Sequence, residues 1–226
     1  MLLQLVSGAC KESGTIRVHS IKFNGLHAFP ASRVKQVLAT RESAKLPWGQ
    51  KRYFDRARFE ADIKRIESFY SDRGYPSAHV TGFDVKLNKK QDEVDVTLTV
   101  SEGEAVRVAS IEYVGFEAIP AEHLNDLEKR SPVKVGAPRD RQLVQATQEM
   151  AINELRDHGF PYAKVAVREA ASSGETQLAL TIAAEPGTKA VFGPFRATSP
   201  TVAGLWAPPW VRSMVTVGSV YGPLVS

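Results

Sequence analysis

Residues 16–31, IRVHSIKFNGLHAFPA, align without gaps on residues 106–121, VRVASIEYVGFEAIPA, and eight of the sixteen positions are identical. Farther along, FDRARFEADIKRIESFYSDRGYPSAHV at 54–80 matches RDRQLVQATQEMAINELRDHGFPYAKV at 139–165. A repeat of roughly 85 to 90 residues is long enough to enclose its own core, which excludes the thin stacked repeats of a solenoid. The chain therefore divides into a lead at 1–15, two units at 16–105 and 106–190, and a remainder at 191–226.

Within a unit the apolar period changes in a definite order. Val18, Ile21 and Phe23, with Val108, Ile111 and Tyr113 in the copy, form short β-rich runs that stop at Gly25 and Gly115. Pro30 and Pro120 suit the start of a short helix with Val34, Val37 and Leu38, or Leu124 and Leu127, on one face. A longer helix follows, capped by Asp55, stapled by Phe54 and Phe59, striped by Phe59, Ile63, Ile66 and Tyr70, and stopped at Gly74. In the copy Asp140 caps, Val144, Ala151 and Leu155 hold the stripe, Gly159 ends it, and Gln148 replaces Ile63, which predicts a weaker core there. Two alternating strands close each unit as a hairpin, with Val94, Val96, Leu98 and Val100 matched by Leu178, Leu180 and Ile182. The expected fold class is α+β: tandem β-α-α-β-β domains, each a three-stranded mixed sheet covered on one face by two helices.

A third copy begins at 191–226 and does not finish. Phe192, Phe195 and Ala197 take the first-strand positions and a helix start follows at Pro209, but the second helix and the hairpin are missing. Residues from about 197 onward are expected to be loosely ordered, since strand and helix alone enclose no core. The lead, uncharged through Ala9 and ending Ser7-Gly8-Ala9-Cys10, reads either as the remnant of a processed export signal or as an arbitrary start.

Several function classes lack their residues. Glycines never stand in the spacings of a dinucleotide fingerprint, a phosphate loop or a GxxG clamp. The single Cys10 cannot form an internal disulfide or a thiolate zinc centre, and no two of the five histidines have i, i+4 spacing, so neither metal nor cofactor is expected. The net charge of +4 resides in 16–105, where 16 Lys/Arg face 12 Asp/Glu, while 106–190 carries 10 against 12. Because these charges interleave, as in Arg58, Glu60, Asp62, Lys64, Arg65 and Glu67, they form a solvated helix face more readily than a phosphate track. The alternative function is a small α/β tandem that binds nucleic acid, and it would need Lys and Arg gathered on the open sheet or in one groove.

The unit, with its strand ending in Gly, its Asp-capped helix, GYPSAHV or GFPYAKV, and a last strand running into Ser101-Glu102-Gly103 or Glu185-Pro186-Gly187, resembles the POTRA (polypeptide-transport-associated) domain. Tandem POTRA domains are the hallmark of BamA/TamA-type outer membrane protein assembly factors, so the resemblance implies a periplasmic arm whose transmembrane β-barrel is missing here. It implies a non-catalytic scaffold with no cofactor, attached to the outer membrane in the full-length protein. Its partners would be unfolded outer membrane proteins and accessory assembly proteins, with no nucleic acid.

The resemblance also implies where binding occurs: by β-augmentation, in which a foreign strand pairs with an exposed edge through main-chain groups common to every sequence. The candidate edges are His79, Val80, Thr81, Gly82, Phe83, Asp84 and Val85 in the first unit, and Lys164, Val165, Ala166, Val167 and Arg168 in the second.

Overall fold

The computed structural model describes residues 15–191 apart from residues 47, 173 and 175. The expectations for the lead at 1–14 and for the third unit at 192–226 lie outside the described residues. The first module runs β1 (Arg17–Asn24), α1 (Ala31–Val37), α2 (Arg56–Asp72), β2 (His79–Leu87) and β3 (Glu93–Ser101). The second repeats the order as β4 (Arg107–Val114), α3 (Ala121–Arg130), α4 (Arg141–Asp157), β5 (Lys164–Ala171) and β6 (Gln177–Glu185).

Each module holds one mixed three-stranded sheet, ordered β1-β3-β2 and β4-β6-β5. The last strand lies in the middle, parallel to the first and antiparallel to its hairpin partner. A parallel pair needs a crossover, and the two helices supply it while covering one sheet face. The strict alternation of β3 explains the cover: Val94, Val96, Leu98 and Val100 are buried beneath Phe59, Ile66, Phe69 and Tyr70 of α2 and Val34 of α1. In the second module Leu178, Leu180 and Ile182 meet Val144, Ala151 and Leu155 of α4 and Leu127 of α3.

Local chemistry sets the ends of the elements. Asp55 caps α2 by accepting from the Arg58 N–H at 2.7 Å, and the Phe54 and Phe59 rings pack 5.6 Å apart across that turn. Asp140 caps α4 by accepting from the Gln142 N–H at 2.8 Å. Gly25 and Gly115 end the first strands at φ +78° and +81°, where a Cβ would stand 2.2 Å from the Val100 and Ala184 carbonyl oxygens. Both the backbone conformation and the missing side chain are therefore required.

One buried charge lies outside the apolar pattern. Asp62, 1% exposed, accepts from the Ala39 and Thr40 N–H groups at 2.7 and 2.8 Å and from the Arg65 guanidinium at 2.6 Å, tying the end of α1 to α2. Burial pushes its carboxyl pKa up, but the hydrogen bonds from Thr40, Ala39 and Arg65 outweigh that and hold it below the usual aspartate range. At the equivalent position of α4, Thr147 makes the same tie without charge, hydrogen-bonded to the Ser131 hydroxyl at 3.1 Å.

The modules meet at Gly74. This residue ends α2 at φ +90° and accepts from the Val106 N–H at 2.7 Å, and a Cβ on it would lie 2.8 Å from the Arg139 nitrogen. The helix-stop role predicted for it is thus joined by a contact role. Arg141 pairs with Asp72 at 3.6 Å across the same junction.

Gly25→Ala and Gly115→Ala are each expected to destabilise the protein by at least about 2 kcal/mol in urea unfolding, since strain at positive φ adds to the clash with the carbonyl. Asp62→Ala should cost about 3 kcal/mol at neutral pH, through loss of the carboxylate and exposure of unpaired N–H groups. Because the folded pKa is depressed, that contribution is complete above the unfolded value of about 3.9 and is lost as pH falls through the folded value. The difference in stability between the variant and the parent should therefore narrow in acid.

Candidate functional site

A three-stranded sheet has two outer edges, and in both modules one is already occupied by the chain itself. Along β1, Val18 donates its N–H to the Arg52 carbonyl and accepts from the Ser43 N–H, both at 2.8 Å, and the Phe54 N–H donates to Ile16 at 2.8 Å. The Ile21 N–H reaches the Glu42 carboxylate at 2.7 Å. Along β4 the connection between the helices does the same: Val108 donates to Ala137 at 3.0 Å and accepts from Gly136 at 2.7 Å, and Arg139 donates to Val106 at 2.8 Å. The edges left are those of β2 and β5.

Which of their main-chain groups face outward follows from register. The Asn88 N–H donates to the Glu93 carbonyl at 3.0 Å, which continues the β2–β3 ladder as a hydrogen-bonded pair. Antiparallel pairing alternates, so Lys86, Asp84 and Gly82 direct their groups to β3, whereas Leu87, Val85 and Phe83 direct theirs away. The register shift between Val80 and Gly82 then returns Val80 to the outward set. By the same alternation from the Ser172 to Gln177 bond, Val165, Val167, Glu169 and Ala171 face outward on β5. Of the twelve residues expected at the edges, Val80, Phe83, Val85, Val165 and Val167 thus offer main-chain groups. His79, Gly82, Asp84, Lys164, Ala166 and Arg168 direct theirs into the hairpins, and Thr81 occupies the bulge, its hydroxyl donating to the Thr99 carbonyl at 3.2 Å. Leu87, Glu169 and Ala171 extend the outward sets beyond the spans predicted from sequence.

The surroundings of the two edges differ. Phe83 and Val85 project on the helix side but beyond the helix cover, 56% and 37% exposed, and with Phe54 and Phe59 they floor a groove of about 290 Å³. The Phe83 and Phe59 rings meet edge to face at 5.2 Å. Arg56 and Glu60, paired at 3.0 Å, form its rim. On the opposite face Asp84 and Lys86 pair with each other at 2.8 Å, which raises the Lys86 pKa through the hydrogen bond from its ammonium. Among the described residues one outward main-chain group of β2 is taken by a side chain: the Val80 N–H, at 3.4 Å from Glu67.

In the second module the matching positions are polar. Arg139 stands where Phe54 does and Glu169 where Val85 does, joined by two hydrogen bonds at 2.9 and 2.5 Å across the groove position. Gln148, aligned with Ile63, donates its side-chain amide to the outward Val165 carbonyl at 2.6 Å. The glutamine read as a weak point of the core is therefore a plug on the edge.

A second constellation joins residues that spacing along one helix cannot bring together. His123 of α3 meets Glu154 and His158 of α4, with their ligand atoms within 4.8 Å of one another. Glu154 and His158 have i, i+4 spacing, and the test of histidine pairs alone passes over them.

The free edge of β2 should be visible without any ligand. Amides of Phe83, Val85 and Leu87 are expected to exchange hydrogen at least about 100-fold faster than those of Asp84 and Lys86 in native-state NMR. Equal protection along the strand would mean that something covers the edge.

Comparison with known proteins places a family match on the first module. Residues 16–103 match the POTRA family, described as surface antigen variable number repeat. The chain is 37% identical over 111 residues, 47% of its length and 13% of the other, to a Treponema pallidum (strain Nichols) protein provisionally named an outer membrane protein assembly factor. To outer membrane protein assembly factor BamA of Neisseria meningitidis serogroup B it is 21% identical over 180 residues, 79% of this chain and 22% of that one. Among solved structures, POTRA3-5 of Haemophilus influenzae BamA is 24% identical, with a TM-score of 0.44, covering 78% of this chain and 68% of that chain. The chain spans less than a quarter of the length of the curated relatives it matches.

Proposed function

We propose that this chain, whose residues 16–103 match the POTRA family, forms part of the periplasmic arm of an outer membrane protein assembly factor and captures extended segments of unfolded outer membrane proteins at the β2 edge. The arm acts as a non-catalytic scaffold. The observation that carries the reading is the coincidence of outward main-chain groups at Phe83, Val85 and Leu87 with an apolar groove between β2 and α2. A strand added there pairs through its backbone, which is the same for any client, while alternate side chains enter the groove. The β5 edge from Lys164 to Arg168 is the lesser acceptor, because Gln148 occupies the Val165 carbonyl and the Arg139–Glu169 pair fills the groove position.

The nucleic-acid alternative fits the charges less well. On the open face of the first sheet Lys22 stands among Asp95, Asp84 and the paired Lys86, with Thr97 and Thr99 between, so no one-signed track runs across it.

A proline at position 85 separates edge pairing from folding. The Val85 N–H takes no part in the β2–β3 ladder, so Val85→Pro should leave the sheet formed while removing a donor to an incoming strand. Binding of a peptide copied from an outer membrane barrel strand, followed by backbone amide shifts at residues 83–87, is expected to weaken at least about tenfold in Val85→Pro, and to change little in Val167→Pro. Shifts confined to Lys and Arg side chains and abolished by salt would support the nucleic-acid reading instead.

A further inference from the structure

We infer that His123, Glu154 and His158 form a binding site for a divalent transition ion, Zn²⁺ or one of similar preference, on the helix side of the second module. His123 lies in the first turn of α3, Glu154 in the last turn of α4, and His158 at the α4 C-cap. The two imidazole rings are 4.4 Å apart between centroids. One carboxylate oxygen, Glu154 Oε1, lies 3.4 Å from His123 Nδ1 and 3.7 Å from His158 Nδ1. Zinc–ligand bonds of about 2.0–2.1 Å in a tetrahedron set ligand atoms about 3.3 Å apart. The candidate ligand atoms lie within 4.8 Å of one another, wider than that spacing, and side-chain rotation has to draw them together.

Second-layer contacts match those of a metal site. The His158 ring donates its Nδ1–H to the Glu154 main-chain carbonyl at 2.8 Å, so the ion takes the lone pair of Nε2 and not the Nδ1 that lies 3.7 Å from the carboxylate. Arg130 donates to the other carboxylate oxygen, Oε2, at 2.9 Å, orienting Glu154 while leaving Oε1 toward the histidines. Among the described residues Glu122 is the further charged group beside the rings, 4.0 Å from His123 Nε2 and another oxygen donor within reach. A glutamate in the last turn of a helix opposes the helix dipole, and this one is 11% exposed, so helix formation does not account for it.

Nor does the fold impose the cluster. At the equivalent positions the first module has Arg33, Phe69 and Arg73, and there the Arg73 guanidinium stacks 3.8 Å over the Phe69 ring. The same scaffold thus packs stably with no ligand set. Two imidazoles with one carboxylate select Zn²⁺, Co²⁺ or Ni²⁺ over Mg²⁺ or Ca²⁺, and the fourth position remains for water or a partner's side chain.

Titration of the full 226-residue chain with Zn²⁺ at pH 7.5 is expected to give one ion per chain by calorimetry. The affinity should fall at least about tenfold in each of His123→Gln and His158→Gln, and uptake should be lost in the double variant and at pH 5.5. Both rings are partly exposed, and circular dichroism checks that the variants stay folded. Co²⁺ loaded on the unmodified chain should show the visible bands of nitrogen and oxygen ligation. Absence of uptake, uptake undiminished in the double variant, or a thiolate charge-transfer band assigning the ion to Cys10 would each overturn the site.

Discussion

Hydrogen bonds on the two flanks of β3 decide what the first module can offer a partner. β3 pairs with β1 on one side and β2 on the other, so the middle of the sheet is saturated. The chain between α1 and α2 then folds back on β1 and occupies it from Ile16 to Ile21. A sheet of three strands would otherwise expose two edges and invite uncontrolled pairing. Here the crossover connection leaves one, and the helices that cover the core stop short of it, so Phe83 and Val85 overhang the groove.

The second module keeps the same topology and differs in side chains. Phe54 becomes Arg139, Val85 becomes Glu169 and Ile63 becomes Gln148, and the three changes convert an apolar groove beside an open ribbon into an ion pair and an amide plug. Plugging one carbonyl with a neutral amide removes a single acceptor, while the ion pair would have to be broken and desolvated before an apolar side chain could enter. The repeat therefore gives two modules of one fold whose free edges have unlike surroundings, apolar in the first and polar in the second. The histidine cluster of α3 and α4 lies on the module whose groove is closed, which fits specialisation of the two copies.

The fold was legible because it rests on periodicity: alternation through Val94 to Val100, a helical stripe from Phe59 to Tyr70, and Gly25 and Gly115 where only glycine fits. The site was legible as a choice of strand but not as a set of groups. Outward direction depends on the register shift at Thr81, which moves the alignment of β2 and β5 by one residue, so that Phe83 matches Val167 and Val85 matches Glu169. Asp62 read as part of a solvated charged face, yet it is buried, and Gln148 read as an interruption of an apolar stripe, since their partners at Ala39, Thr40 and Val165 are remote in sequence. His123 and His158 share no helix, and helix packing alone joins them.

Main-chain pairing at the β2 edge cannot by itself hold a client tightly. Phe83, Val85 and Leu87 offer one N–H and one C=O each, six groups in all. Every bond formed replaces bonds to water and contributes about 0.5–1.5 kcal/mol net. Ordering each residue of an incoming strand costs about 1–2 kcal/mol of backbone entropy. The two nearly cancel over a segment of this length, so affinity is decided by what enters the groove floored by Phe54, Phe59, Phe83 and Val85. A Leu or Phe side chain buried there contributes about 1.5–3 kcal/mol. On the proposed function, such an edge would hold alternating apolar strands briefly and release them, reading no more of their sequence than the side chains that face α2. That balance suits a scaffold that passes chains on, and it would be lost if the groove were larger or the edge longer.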